Sequence, residues 1–137
     1  MIFKVKQIGT MQKTISLILQ IIIAAILIQT LRYKFTAHPD SVYIFTKVGL
    51  EPYGRIAIGV FELIAAILIL IPKTIWVGSL LTLGIISGAI LMHLTNLGIE
   101  INGDGGMVFY MAIAVFILSL VILWMNRKSL PFISKNL

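Results

Sequence analysis

The chain contains no cysteine. That removes disulfide exchange, thiolate-bound zinc, iron–sulfur clusters and covalently attached c-type haem from the chemistry open to it. Acids are scarce as well: five Asp and Glu stand against eleven Lys and Arg, and charged residues make up only 12% of the whole. No grouping of residues has metal-ligand spacing, so no metal site is expected. What fills the chain instead is apolar, 59% of all residues, far above the usage of soluble domains. The basic excess sits at the ends of apolar runs rather than in one patch. It reads as a determinant of membrane topology and of headgroup contact, not as a nucleic-acid surface.

Four apolar runs, at 14–33, 54–71, 74–97 and 107–125, are each long enough to cross a hydrocarbon core of roughly 30 Å at ~1.5 Å per residue. The first follows Lys4, Lys6 and Lys13, in the manner of a signal peptide. It is longer than the ~7–15 residues of an h-region and lacks a small-x-small cleavage site, so it is read as a retained span. The connection between the first two spans carries Val42, Phe45 and Val48 at helical spacing. Asp40 or Ser41 is available as N-cap and Gly49 is placed to stop the helix. The expected fold class is an all-α membrane protein. One domain, 1–137, forms a four-transmembrane-helix bundle with a short amphipathic helix between the first and second spans.

Glu62 lies near the middle of the second span. A carboxylate at that depth costs about 2.5–3.5 kcal/mol on insertion scales, so it needs a partner or a proton. On a helix, Arg55, Gly59, Glu62 and Ala66 share one face with Ala65 beside them, and the small residues invite a neighbouring helix. Glu62 is therefore either a packing lock for the bundle or a functional site. Its expected partners are the basic groups nearest in depth: Arg55, Arg32 or His93.

The first span carries Gln20 and Gln29 nine residues apart, on opposite faces, so they cannot serve one site. Gln29 shares a face with Arg32, which either snorkels to the interface or turns into the bundle mouth. In the third span, Gly84 and Gly88 form a G-x-x-x-G pair suited to close helix contact. Ser79, Thr82, Ile86, Ala89, His93 and Asn96 form a separate, partly polar row at four-and-three spacing. His93 is either simply hydrogen-bonded near a helix end or a proton-exchanging group, since imidazole titrates near neutral pH. The other histidine, His38, falls in a connection, which leaves a two-histidine haem without its second ligand. Tyr110 opens the fourth span. Glu62, His93, Tyr110, Arg55, Arg32, Gln29 and Asn96 are thus the candidates for ligand binding or proton exchange, with Gly59, Gly84 and Gly88 as packing positions.

Basic residues gather at 1–13, at Lys73 and at 126–137, whereas the connection 98–106 has two acids and no base. The positive-inside rule then places both ends in the cytoplasm. Trp76 and Trp124 mark the same interface.

The run GRIAIGVFELIAAILILIP, followed by a glycine-rich third span ending in AILMHLTNLGIEINGDGG, resembles the DoxX family of small four-helix membrane proteins. The family's Gly-x-x-Glu pattern is met by Gly59 and Glu62, and its His-Leu-Thr stretch by His93, Leu94 and Thr95. The resemblance covers nearly the whole chain after the basic arm. It implies a bacterial plasma membrane location, and its founding members are small subunits of quinone-linked complexes that oxidise sulfur compounds. It informs fold more than function.

Three readings follow. The chain is an accessory subunit of a quinone- or redox-linked system, with Glu62, His93 and Tyr110 around a quinone in the outer half of the bundle. Alternatively, it binds or moves a small lipophilic molecule coupled to a proton. Or it is a non-catalytic anchor that assembles another protein. In none is it a stand-alone enzyme. The implied partners are the lipid bilayer, a quinone or other lipophilic ligand, and a redox-enzyme or homo-oligomeric partner.

Overall fold

The computed structural model describes residues 2–130, and among them every regular element is helical. The helices are α1 (Ile2–Phe35), α2 (Pro39–Lys47), α3 (Tyr53–Leu70), α4 (Ile75–Met92) and α5 (Met107–Met125). α1, α3, α4 and α5 are each long and apolar enough to span a membrane, which makes the chain a multi-pass membrane protein built as a four-helix bundle. They pack in a ring in which α1 meets α3, α3 meets α4, α4 meets α5, and α5 returns to α1. α2 and the connection 98–106 lie at one end, the loop end. The Pro72–Thr74 turn, the start of α1 and the close of α5 lie at the other, the tail end.

The core is a single cluster: Ile23, Ala24 and Leu27 of α1, Ala65, Ala66 and Ile69 of α3, Ile75 and Ile86 of α4, and Ala112, Val115 and Ile122 of α5. Only 28–33% of the most apolar window in each span is buried inside this bundle. The remaining Ile, Leu and Phe face outward, as they must where the solvent is hydrocarbon.

The first span differs from its expected bounds. α1 contains no proline and runs unbroken from Ile2, so the basic arm is a helical continuation of the span rather than a separate end. Its far end reaches Phe35, where Ala37 takes a left-handed conformation (φ 53°) and the His38 N–H bonds back to the Tyr33 carbonyl at 3.0 Å. α2 forms where the apolar spacing indicated, with Phe45 buried and Val42 and Val48 half-buried. Its cap, however, is His38, whose Nδ1 accepts the Asp40 N–H at 3.2 Å. Proline at the first helical position already fixes the entry, so neither Asp40 nor Ser41 caps. Gly49 does end the helix, with φ at 78° and the Leu50 N–H reaching the Phe45 carbonyl at 2.8 Å. Beyond Leu130, the basic tail falls outside the described residues.

The glycine pair of the third span also needs correction. Gly84 and Gly88 are exposed, and a Cβ at either would meet nothing within 4 Å, so neither brings two helices of this bundle together. That part is played by Gly78, where a Cβ would lie 2.5 Å from the Ile69 backbone nitrogen. The hairpin between α3 and α4 is so short that their backbones converge at its base, and Gly78 is the residue at that crossing.

α4 does not end as a plain α-helix. His93–Leu97 forms a π-helical turn, closed by the Gly98 N–H on the His93 carbonyl at 2.9 Å. The wider turn breaks the four-and-three row. Ser79, Thr82, Ile86 and His93 are buried, but Asn96, due next in the row, faces outward.

Candidate functional site

Glu62 is 5% exposed and faces α1, not the loop-end mouth. Its Oε2 accepts two donors from successive turns of that helix: the Lys34 ammonium at 3.1 Å and the Thr30 hydroxyl at 3.1 Å. The geometry follows from sequence spacing. Ser16, Gln20, Ile23, Leu27, Thr30 and Lys34 recur at alternating four and three, so they share one face of α1, and all are buried or half-buried against the bundle. The stripe is apolar in the middle and ends in a hydroxyl and an ammonium at the depth of Glu62.

Thr30 has one hydroxyl proton and two acceptors in reach, the Glu62 carboxylate and the Leu27 carbonyl at 2.8 Å. Facing a carboxylate, it donates to Glu62. Facing a carboxylic acid, it turns its proton to Leu27 and accepts from Glu62. Either protonation state of the acid is therefore hydrogen-bonded without movement of the backbone.

The expected partners of Glu62 are elsewhere. Arg55 is buried one to two turns toward the loop end, where its Nε holds both oxygens of Glu51 at 2.8 and 3.0 Å. Its Nη1 donates to the Lys34 carbonyl. Lys34 thus joins the two pairs, offering its carbonyl to Arg55 and its ammonium to Glu62. Gly59 lies beneath Phe35, whose ring carbon would stand 2.7 Å from a Cβ there. The aromatic ring at the end of α1 thereby sits directly on α3, one turn above Glu62.

His93 is buried, with Nδ1 2.8 Å from the Gly98 carbonyl. A carbonyl only accepts, so Nδ1 carries a proton and donates it to Gly98. The ring packs edge-on against Phe109 at 5.4 Å, and Phe109 against Tyr110 at 5.7 Å. Tyr110 itself is 60% exposed on the outer surface of α5. Arg32 and Gln29 are exposed on the outward side of α1. The structure therefore brings Glu62 to Thr30 and Lys34. It leaves Arg55 and Gly59 in the layer above and does not bring Tyr110, Arg32, Gln29 or Asn96 to the acid.

The connection 98–106 is built around Asp104. Partial desolvation works against its charge, but the carboxylate accepts N–H groups from Ile101 at 2.9 Å, Gly106 at 2.7 Å and Val108 at 3.2 Å. Together with the nearby His93, these hold its pKa below the ordinary aspartate value. Asn102 then donates to Asp40 at 2.8 Å, fastening this connection to α2. At the tail end, a second polar layer joins α1 to α5. Ser16 Oγ accepts from Gln20 at 2.7 Å and from Asn126 at 3.2 Å. Between the layers, Ser79 and Ser119 are fully buried and their hydroxyls have no hydrogen-bond partner among the described residues.

Among the described residues no three His, Asp or Glu side chains gather in a way that could hold a metal ion. Beside α2 an open groove of about 640 Å³ is lined by Ala37, Pro39, Val42, Tyr43, Thr46 and Lys47. No protein-family model matches the chain, and neither a curated protein nor a solved structure matches it.

Proposed function

We propose that this chain is a DoxX-like accessory protein of a quinone-linked redox system. In this reading it lies in a bacterial plasma membrane with both ends in the cytoplasm, and holds the polar head of a lipophilic molecule at Glu62, Thr30 and Lys34. The observation that carries the reading is the shared acceptor, one carboxylate oxygen bonded by an ammonium and by a hydroxyl that can reverse its direction. Such a group can hold or release a proton without losing its hydrogen bond to Thr30.

A quinone fits this donor set. Lys34 has N–H groups beyond the one used by Glu62 and is partly exposed, so it can donate to a ring carbonyl. Glu62 holds or returns a proton at Oε2, and Thr30 follows that change through Leu27. A bound quinone would supply electron transfer, and a separate redox enzyme the electrons. His93 has its Nδ1 proton committed to Gly98 and Tyr110 faces outward, so neither is assigned to the head group.

The competing reading, a membrane anchor with Glu62 as a packing lock, is favoured by one specific contact. Arg55 and Lys34 clamp the end of α1 onto α3 through Glu51, Glu62 and the Lys34 carbonyl. One experiment separates the two. Wild type and Glu62→Gln are purified in mild detergent, and their organic extracts are examined by mass spectrometry and visible absorption. The expected result is a stoichiometric quinone with wild type and its loss from a folded Glu62→Gln protein. A folded variant that keeps the molecule refutes the site. A variant that fails to fold, beside a wild type with no ligand, establishes the lock.

A further inference from the structure

The two ends of the bundle differ in how their charges are satisfied. All five acids lie in α2, α3 or the connections at the loop end, where two of them neutralise Lys34 and Arg55. The tail end carries Lys13, Lys73, Arg127 and Lys128 and no acid among the described residues. Its positive charge has no counter-charge within the described chain.

Two of these cations, Arg127 and Lys128, stand at the close of α5. Asn126 Nδ2 reaches Ser16 Oγ at 3.2 Å, which pins the close of α5 against α1. Lys13, exposed, is one turn further toward the tail end on α1, and Arg127 and Lys128 follow Asn126 directly. Arg127 does not project away from the bundle. Its guanidinium lies 4.3 Å over the Trp124 ring, and its Nη1 donates to the Trp124 carbonyl at 2.9 Å. Trp124 is 68% exposed on a membrane-spanning helix, in the position of an indole at the headgroup boundary. A guanidinium stacked on that indole is held at phosphate height. Below it on the same face of α5, at three-and-four spacing, Ile117, Leu120 and Val121 are exposed apolar surface suited to acyl chains.

We propose that the outer face of α5 at the tail end is a binding site for an acidic phospholipid, its headgroup held by Arg127 and Lys128 and its glycerol region against Trp124. An acidic protein would meet the charge equally well but not the indole and the apolar surface below it. Each cation near an anionic headgroup favours association about fivefold.

The test uses Trp124 as its own reporter. The chain has two tryptophans, so Trp76→Phe leaves one. The protein is reconstituted in phosphatidylcholine vesicles with increasing amounts of bromine-labelled phosphatidylglycerol or bromine-labelled phosphatidylcholine, at constant ionic strength. The acidic lipid is expected to quench Trp124 at about fivefold lower mole fraction or less, and Arg127→Gln/Lys128→Gln is expected to abolish the preference. Should that double variant not fold, Arg127→Gln alone is expected to reduce it severalfold. Equal quenching by the two lipids overturns the proposal, as does a preference that survives in the folded variants. Loss of the preference on adding millimolar inorganic phosphate also overturns it, by assigning the site to free phosphate.

Discussion

Replacing Lys34 with methionine removes the ammonium that meets Glu62 while keeping most of the apolar stem. The acid then has Thr30 alone and must either stay charged in the bundle or take up a proton. The second route bounds the cost. Neutral pH lies about 2.7 units above the ordinary glutamate pKa, and each unit is worth ~1.4 kcal/mol, so neutralising the acid at pH 7 costs about 3.7 kcal/mol. That falls within the roughly 3–5 kcal/mol observed when one partner of a buried pair is removed. It is an upper bound, because Lys34 is 14% exposed and water screens part of the interaction. At pH 5 the same route costs only about 1 kcal/mol. Lys34→Met should therefore lose about 2–4 kcal/mol at pH 7 and about 1 at pH 5. Lys34→Met/Glu62→Gln, with no charge to strand, should recover most of the loss at pH 7. Equilibrium unfolding in mixed micelles, followed by circular dichroism at both pH values, measures all three. A cost below about 0.5 kcal/mol at pH 7, or one that is equal at the two pH values, would refute the coupling.

Gly78→Ala should destabilise by about 1–3 kcal/mol in the same unfolding assay, because its Cβ would press on the Ile69 backbone 2.5 Å away. Gly84→Ala and Gly88→Ala, with open space around them, should change stability by less than about 0.5 kcal/mol. Asp104→Ala should cost about 1 kcal/mol or more by releasing three backbone N–H groups. Since the folded pKa of Asp104 is depressed, its contribution is present above the ordinary aspartate pKa near ~3.9 and is lost as pH falls through the lower folded value. Acid titration of wild type against Asp104→Ala should show the two curves converging below that point. Because the chain has no cysteine, single cysteines at the exposed Thr46 and Asn102 should react with an impermeant maleimide in intact spheroplasts. Those at Thr10 and Lys73 should react only after lysis, and the reverse pattern rejects the orientation.

The spans were legible because length and hydropathy alone decide what crosses a membrane, and each of the four apolar runs lies on a helix long and apolar enough to do so. Glu62 was legible for a related reason, since a lone carboxylate in an apolar run requires an accommodation. Its partner was misread. Lys34 fell one residue beyond the first span as bounded at 14–33, and Arg55 shared a helix face with Glu62. The four-and-three stripe from Ser16 to Lys34 was available as the contrary signal, and it points Lys34 inward. Asn96 was misplaced because a π-helical turn adds a residue to the turn without any composition mark. Gly84 and Gly88 were given the close contact because their spacing matches a known motif. Gly78, four residues from a short hairpin turn, holds it for reasons of geometry that spacing alone does not carry.

The difference in length between α1 and α3 bears on the membrane itself. α3 has 18 residues between Pro52 and Pro72, about 27 Å of helix that cannot be lengthened in either direction without removing a proline. α1 has 34 residues, about 51 Å, and no such stop. In a bilayer thicker than about 27 Å, α1 stays matched by tilting less, whereas the lipid beside α3 must compress to meet it. The molecule thus imposes a local thickness from one side only, and in membranes of increasing thickness it should drift toward thinner regions or pair α3 with a surface that hides the mismatch.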